Sequence, residues 1–296
     1  MEKLRGVIPP MITPFTQKGE LDKEKVKNVA GFLADKVHGL FVCGTYGAGP
    51  LMSIEERMEV CSAAVEGTEG KIPVIAHVGT TDTKSALQLA QHAEKAGARA
   101  VASLPPYYYS HEEKGIIKYF ATLTENLNIP VYLYNNPGTV GYGISPEFLS
   151  RLIKETGIRG LKDSSFDLQL FSRFIRTAKE EFDVIMGTGS MFLPVAPLGT
   201  GAFIPGTGNA LPEIMTDLWE KCEKKDFVAA RMIHEKLVGI REVTKKFGPS
   251  LVVVQALLNS RGIDAGYPRC PFFPLDGKRK NRLLAELKAL DVFFDS

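Results

Sequence analysis

The sequence predicts an α/β fold, a (β/α)8 barrel carrying additional C-terminal helices. Three observations point there. About eight short apolar runs alternate with helix-period segments over roughly the first 220 residues, the length such a barrel takes. No Gly-x-Gly-x-x-Gly fingerprint follows the first run, so the competing doubly wound sheet fits less well. From Pro212 onward the pattern is nearly all helical, and no flexible linker precedes it. The chain therefore divides into a barrel, residues 1–211, and residues 212–296, the last barrel helix with a helical extension packed on the barrel.

The elements follow in order. Gly6-Val7-Ile8 opens the first strand, and Pro9-Pro10 and Thr13-Pro14 supply the turn after it. Asp22 caps a helix whose Val26, Val29, Ala30 and Leu33 share one face. Leu40 to Cys43 is the second strand, and Ser53 with Glu56 forms a capping box for the next helix. Ile72 to Ala76 is the third strand; Thr83 begins a helix with Ala86, Leu89, Ala93 and Ala96 on one side. Ala100 to Ser103 is the fourth, followed by a helix stacking Ile116, Phe120, Leu123 and Leu127. Val131 to Tyr134 is the fifth, with a helix from Ser145; Ile158 to Leu161 is the sixth, ending at Lys162. Val184 to Met186 and Gly201 to Ile204 complete the set. Three helices, Phe227 to Phe247, Leu251 to Asn259 and Asn281 to Leu290, fill the C-terminal part.

Composition narrows the class. The 296 residues are 44% hydrophobic and 24% charged, enough apolar material for a large core. A formal net charge of +2 gives no electrostatic footprint for nucleic acid or a membrane surface. No apolar run reaches the ~20 residues of a membrane helix, and the N-terminal residues lack a secretory pattern. Cys43, Cys61, Cys222 and Cys270 are scattered without metal or redox spacing, and are expected as buried, reduced thiols of a cytoplasmic protein.

In such a barrel the chemistry gathers where strands end. The sixth strand ends in Lys162-Asp163-Ser164-Ser165. A lysine there either snorkels to the surface or is buried. Burial lowers its pKa and leaves a neutral amine able to condense with a ketone. After the second strand, Gly44-Thr45-Tyr46-Gly47-Ala48-Gly49-Pro50 is glycine-rich enough for backbone N–H groups to converge on a carboxylate. The fourth strand is followed by Pro105-Pro106-Tyr107-Tyr108-Tyr109 and the fifth by Tyr134-Asn135-Asn136-Pro137. Gly187-Thr188-Gly189-Ser190 follows the seventh, and Ile204-Pro205-Gly206-Thr207-Gly208-Asn209 the eighth. An amine, a phenol, a hydroxyl and a nest of amides are equipment for a 2-keto acid: an imine forms, an enamine follows, and a carbon–carbon bond is made or cleaved.

These segments, in this order, resemble the dihydrodipicolinate synthase / N-acetylneuraminate lyase family of pyruvate-dependent class I aldolases. Gly44-Thr45-Tyr46-Gly47, Pro106-Tyr107-Tyr108, Tyr134-Asn135-x-Pro137 and Gly160-Leu161-Lys162-Asp163 carry the likeness. The resemblance implies Lys162 as the Schiff-base lysine, Tyr134 as proton shuttle, Thr45 as relay hydroxyl and Tyr108 as a residue entering a neighbouring subunit's site. It implies no cofactor beyond the covalent Schiff base on Lys162, no metal, and a homotetramer built as a dimer of dimers. Expected in the substrate-binding wall are Tyr46, Gly47, Asn135, Asn136, Asp163, Ser164, Gly187 and Ile204, with Asn135 and Asp163 chiefly fixing loops. His77 ends the third strand on the same face without an assigned role.

Within the family, Gly44 to Pro50, Pro106 to Tyr109, Val131 to Tyr134 and the tail Gly266 to Asp276 resemble the archaeal 2-keto-3-deoxygluconate aldolases, which interconvert that sugar acid with pyruvate and glyceraldehyde. Three departures stand out. Tyr46 replaces a threonine of the carboxylate loop. Thr139 stands where the synthases place an arginine for their second substrate's carboxylate. His111, Asn136, Lys245 and Pro249 stand where members that accept phosphorylated sugar acids place arginines and hydroxyls. A lone lysine lacks the guanidinium fork, so the expectation is a preference for the unphosphorylated acid. The alternatives are a dihydrodipicolinate synthase, an N-acetylneuraminate lyase or a keto-acid dehydratase on the same imine, and, from a different class, a catalytically inert scaffold favoured only by Tyr46.

Overall fold

The computed structural model describes residues 2–178 and 180–293. Eight parallel strands form one sheet: β1 (Gly6–Val7), β2 (Leu40–Val42), β3 (Val74–His77), β4 (Ala100–Ser103), β5 (Val131–Asn135), β6 (Gly160–Asp163), β7 (Asp183–Met186) and β8 (Ala202–Phe203). Each pairs with its sequence neighbour from β2 to β8, and β8 returns to β1. The seam between β1 and β2 is joined just past β1, where Phe41 N–H donates to Pro9 O and Met11 N–H to Phe41 O. The sheet thus curls on itself, as the alternating pattern predicts.

The outer helices follow their local signals. Asp22 caps α1 (Lys23–Ala34) by accepting from Lys25 N–H. Ser53 and Glu56 make a reciprocal capping box for α2 (Ile54–Thr68). Asp82 caps α3 (Thr83–Lys95). α4 (Glu113–Glu125), α5 (Pro137–Val140), α6 (Pro146–Thr156), capped by Ser145, α7 (Leu168–Thr177), α8 (Phe192–Val195) and α9 (Pro212–Glu223) continue the series. α10 (Phe227–Lys245), α11 (Ser250–Ser260) and α12 (Gly277–Lys288) form the C-terminal part; α10 lies within the expected range, α11 extends one residue past it at each end, and α12 starts four residues earlier than expected. Leu127 lies past the end of α4, yet still packs partly buried against the core.

Strand alternation builds two apolar layers. On β5, Val131 and Leu133 face the helices while Tyr132 and Tyr134 face the barrel interior with Phe41, Ile75, Ile185 and Ile204. Two expectations need correction. The sixth strand runs two residues later than the apolar pattern suggests, so Lys162 lies within it and not beyond its end. The apolar residues Ile158 to Leu161 advertised a strand, but the ladder with β5 and β7 is made from Gly160 on. Cys43, Cys61 and Cys222 are buried, whereas Cys270 is exposed. Among the described residues, no helix is long and apolar enough to cross a membrane.

Candidate active site

The parallel register places Lys162 of β6 directly opposite Tyr134 of β5. Both side chains enter the barrel. The Lys162 Nζ lies 3.6 Å from the centre of the Tyr134 ring and 4.2 Å from that of Phe41. Lys162 is only 4% exposed, and no carboxylate pairs with it among the described residues. Burial lowers its pKa, against the opposing pull of Tyr134. Burial alone would raise the Tyr134 phenol. The Lys162 charge, the Thr45 and Ser164 hydroxyls and the Lys162 amine outweigh it, so the net shift is downward. Amine and phenol are thus both shifted downward, and they lie in contact, as proton exchange between them requires.

Around this pair lies a cavity of about 210 Å3 at the C-terminal ends of the strands. Thr45, Tyr46, Tyr134, Asn136, Lys162, Ser164 and Gly187 line it, seven of the residues the sequence put forward. Asn136 Nδ2 donates to the Tyr134 phenol oxygen at 3.0 Å. In the loop after β2, Ala48 and Gly49 donate back to Thr45 O and Gly44 O, and the N–H groups of Thr45, Tyr46 and Gly47 find no backbone acceptor among the described residues. Tyr46 lies across the loop after β8, where Gly206 is required because a β-carbon would overlap the phenol ring. Its hydroxyl reaches toward Ser250, and burial raises its pKa.

Five expected residues lie off the cavity wall. Gly47 is buried, with its carbonyl accepting from Thr13 Oγ1 at 2.7 Å. Ile204 belongs to the apolar interior. Asn135 and Asp163 form a clamp: Asn135 Nδ2 donates to Asp163 Oδ1 at 2.6 Å, and Asn135 Oδ1 accepts from Ile144 N–H. Ser165 Oγ donates to the other Asp163 oxygen at 2.7 Å. This clamp fixes the loops after β5 and β6, which aim Tyr134 and Lys162. Tyr108 is 83% exposed, with left-handed backbone at φ 80°, and rests edge-on against Tyr109. His77 stands 5.9 Å from the Tyr134 ring, edge-on. Burial, then the charges of Arg57 and Lys162, hold it well below its ordinary pKa, so the imidazole is neutral.

One charged residue of the cavity wall was missed. Arg241, on α10, lines the cavity and donates to Thr188 Oγ1 at 3.2 Å. The sequence placed only Lys245 near the mouth as a cation, and Lys245 is exposed one turn further on. The available signal was the helical period: Arg241 follows Leu237 by four residues and adjoins Ile240, both buried toward the barrel. The wall therefore holds a guanidinium that the expectation of an unphosphorylated sugar acid did not take into account.

Comparison with known proteins agrees with this geometry. The model of the dihydrodipicolinate synthetase family matches residues 3–290. The 4-hydroxy-tetrahydrodipicolinate synthase of Methanopyrus kandleri is 33% identical over 294 residues, 98% of this chain and 97% of the relative. Among solved structures, YagE, a prophage protein of the dihydrodipicolinic acid synthase family from E. coli K12 in complex with pyruvate, superposes with TM-score 0.94 at 28% identity, covering 99% of this chain and 100% of that one. KD(P)GA from T. tenax superposes with TM-score 0.88 at 33% identity, covering 97% and 99%.

Proposed function

The chain belongs to the dihydrodipicolinate synthetase family of lyases, and on that premise we propose that it is a class I aldolase joining pyruvate to a short aldehyde, with 2-keto-3-deoxygluconate as the sugar acid it handles. Enzymes of this family hold pyruvate as a Schiff base on a lysine and use no metal or added cofactor. One observation carries the assignment of that lysine here: a buried amine with a lowered pKa, lying on a phenol whose pKa is also lowered.

The proposed chemistry follows from that pair. Neutral Lys162 Nζ adds to the pyruvate ketone, and loss of water leaves an iminium. The pyruvate carboxylate rests on the free N–H groups of the loop after β2. Tyr134 supplies and removes protons, with the Thr45 hydroxyl as relay. Loss of a methyl proton gives the enamine, which attacks the aldehyde carbon while the aldehyde oxygen takes a proton. Water then cleaves the iminium and releases the longer keto acid and the free amine. The same steps reversed cleave it.

Tyr108 is exposed and does not line its own cavity, which leaves it available to a second subunit in the proposed dimer of dimers; sedimentation measures the assembly. A second activity is favoured by Arg241 and by the synthase names of curated relatives: condensation of the same enamine with an aldehyde bearing a carboxylate. Trapping with pyruvate and borohydride tests the shared step. A stable adduct on Lys162, absent from Lys162→Met, is expected; an inert scaffold gains none. Product analysis with pyruvate and glyceraldehyde then tests the sugar-acid activity, which fails if no six-carbon keto acid forms.

A further inference from the structure

Behind the Lys162–Tyr134 pair stand two buried groups that the proposed chemistry leaves unused, Arg57 on α2 and His77 at the end of β3. No carboxylate pairs with Arg57 among the described residues. Its guanidinium goes to backbone carbonyls instead: Nη2 donates to His77 O at 2.6 Å and Nη1 to Gly79 O at 3.0 Å. Burying an unpaired cation costs stability. A planar fork across two carbonyls of one strand end fixes that end, and what it fixes is the His77 ring. That ring lies outside the cavity wall, 5.9 Å from the Tyr134 ring and 6.1 Å from the Phe41 ring. Tyr134 and Phe41 are themselves 6.0 Å apart, edge-on. The three rings form a triangle, and the Lys162 amine lies over two of them. The His77 nitrogens are turned away from the chemistry. Leu104 N–H donates to Nε2 at 3.4 Å, which leaves the ring proton on Nδ1, and Nδ1 has no partner among the described residues. The Tyr134 oxygen accepts from Asn136, not from His77. Gly79 belongs to the same fit, since a β-carbon there would crowd His77 Nε2 and Ser103 Oγ at 3.0 Å.

We propose that His77 is a positioning residue for the Schiff-base chemistry: its ring is the wedge that holds Tyr134 and Phe41 against the Lys162 amine, and Arg57 pins the wedge by its backbone. This role rests on the aldolase reading above and names what keeps the amine of that site dry. Burial is the first cause of the lowered Lys162 pKa, and the two rings are walls of that burial. Without the wedge the rings tilt away, water reaches Nζ, and the amine returns toward an ordinary lysine. The titratable groups beside Nζ are Tyr134 on β5 and His77 on β3. Beyond them stand Cys43 at the end of β2, Tyr46 in the loop after it, Arg57 on α2 and Arg241 on α10. Asp163, next to Lys162 on β6, is engaged by Asn135 and Ser165. His77 is held neutral by burial and then by the Arg57 and Lys162 charges, so the wedge brings no charge of its own to the amine.

Imine formation with pyruvate, followed across pH by borohydride trapping, tests this in His77→Ala, His77→Phe and Arg57→Lys. His77→Ala is expected to move the midpoint of the rate profile upward by about one pH unit, which slows imine formation near neutrality ~10-fold because less of the amine is neutral. His77→Phe keeps a flat ring without nitrogens and moves the midpoint back toward the wild-type value. Arg57→Lys keeps the charge but cannot span both carbonyls, and moves the midpoint upward by less than His77→Ala does. The amount trapped at long times counts competent protein, so poor folding lowers the yield without shifting the midpoint. A midpoint unmoved in His77→Ala or in Arg57→Lys overturns the proposal. So does a His77→Phe profile no better than that of His77→Ala, which would make a ring nitrogen the working part. Should His77→Ala give no folded protein, Arg57→Lys decides alone. If the wild-type protein traps no pyruvate, the aldolase reading falls by itself. The Lys162 midpoint is then read from the pH dependence of its acetylation by acetic anhydride, and the same order among the variants upholds the wedge while its absence overturns it.

Discussion

Two rows of side chains cross the same three strands, one at each level of the barrel, and they behave oppositely. The upper row runs Tyr134, Lys162, Ile185; the lower row, one pleat down, runs Tyr132, Gly160, Asp183. Both tyrosines face the interior. In the upper row the middle position carries an amine, on which the phenol ring lies, and the phenol pKa falls. In the lower row the middle position is glycine, because a β-carbon there would overlap the Tyr132 ring. The ring crosses that gap and its hydroxyl donates to Asp183 Oδ2 at 2.6 Å, an oxygen that also accepts from Leu4 N–H. Burial, then the neighbouring carboxylate, pushes this phenol's pKa up. The same residue type on one strand is therefore made acidic or inert by what stands next to it. The lower row is a satisfied polar plug holding the barrel floor, while the upper row keeps its groups poised for exchange.

The largest test of this contrast is Lys162→Met. Activity is expected to fall to background and the borohydride adduct to vanish, with the melting temperature held or raised because a buried amine has been replaced by an apolar chain of similar size. Tyr134→Phe comes next. Losing the proton carrier costs roughly 10²–10⁴-fold in kcat, while the slowly formed adduct remains detectable by mass. Tyr132→Phe inverts that result: it leaves a buried carboxylate short of a donor and costs about 1–3 kcal/mol of stability by denaturant unfolding, with adduct yield unchanged. A drop in kcat without loss of stability in Tyr132→Phe would erase the distinction between the rows.

Smaller effects come from pH, and their signs differ. Imine formation needs the neutral amine, so its rate rises with pH and levels off below the ~10.4 of an ordinary lysine, since burial lowers Lys162. Stopped-flow trapping across pH measures it. Asp183 has its pKa raised, by burial first, against the Tyr132 and Leu4 donors. A carboxyl raised in the folded state binds its proton there longer than in the unfolded chain. Its contribution is complete below the unfolded value of ~3.9 and declines as pH rises through the folded one. The gap in melting temperature between wild type and Asp183→Asn is therefore widest in acid and narrows upward.

What could be read from the chain follows the same division. Lys162 and Tyr134 were legible because a lysine within an apolar strand breaks the pattern and a tyrosine ends the neighbouring one. The barrel was legible because each strand is a short apolar run between turn signals. The Tyr132–Asp183 link was not, since it needs the register of β5 to β7, which no local pattern sets. Arg241 escaped for a related reason: on a helix outside the barrel, one charged residue looks like part of the solvated face until the helix is docked. Tyr108 shows the converse, a residue singled out by its neighbours in sequence and left 83% exposed on the single chain.

Phe41 joins two of these features. Its backbone makes the stitch between β1 and β2, and its ring is one of the two walls against the Lys162 amine. A chain whose seam is still open therefore lacks the dry wall and carries an ordinary ammonium, unable to react with the keto acids around it. The nucleophile's setting is thus completed by the same residue that closes the circle.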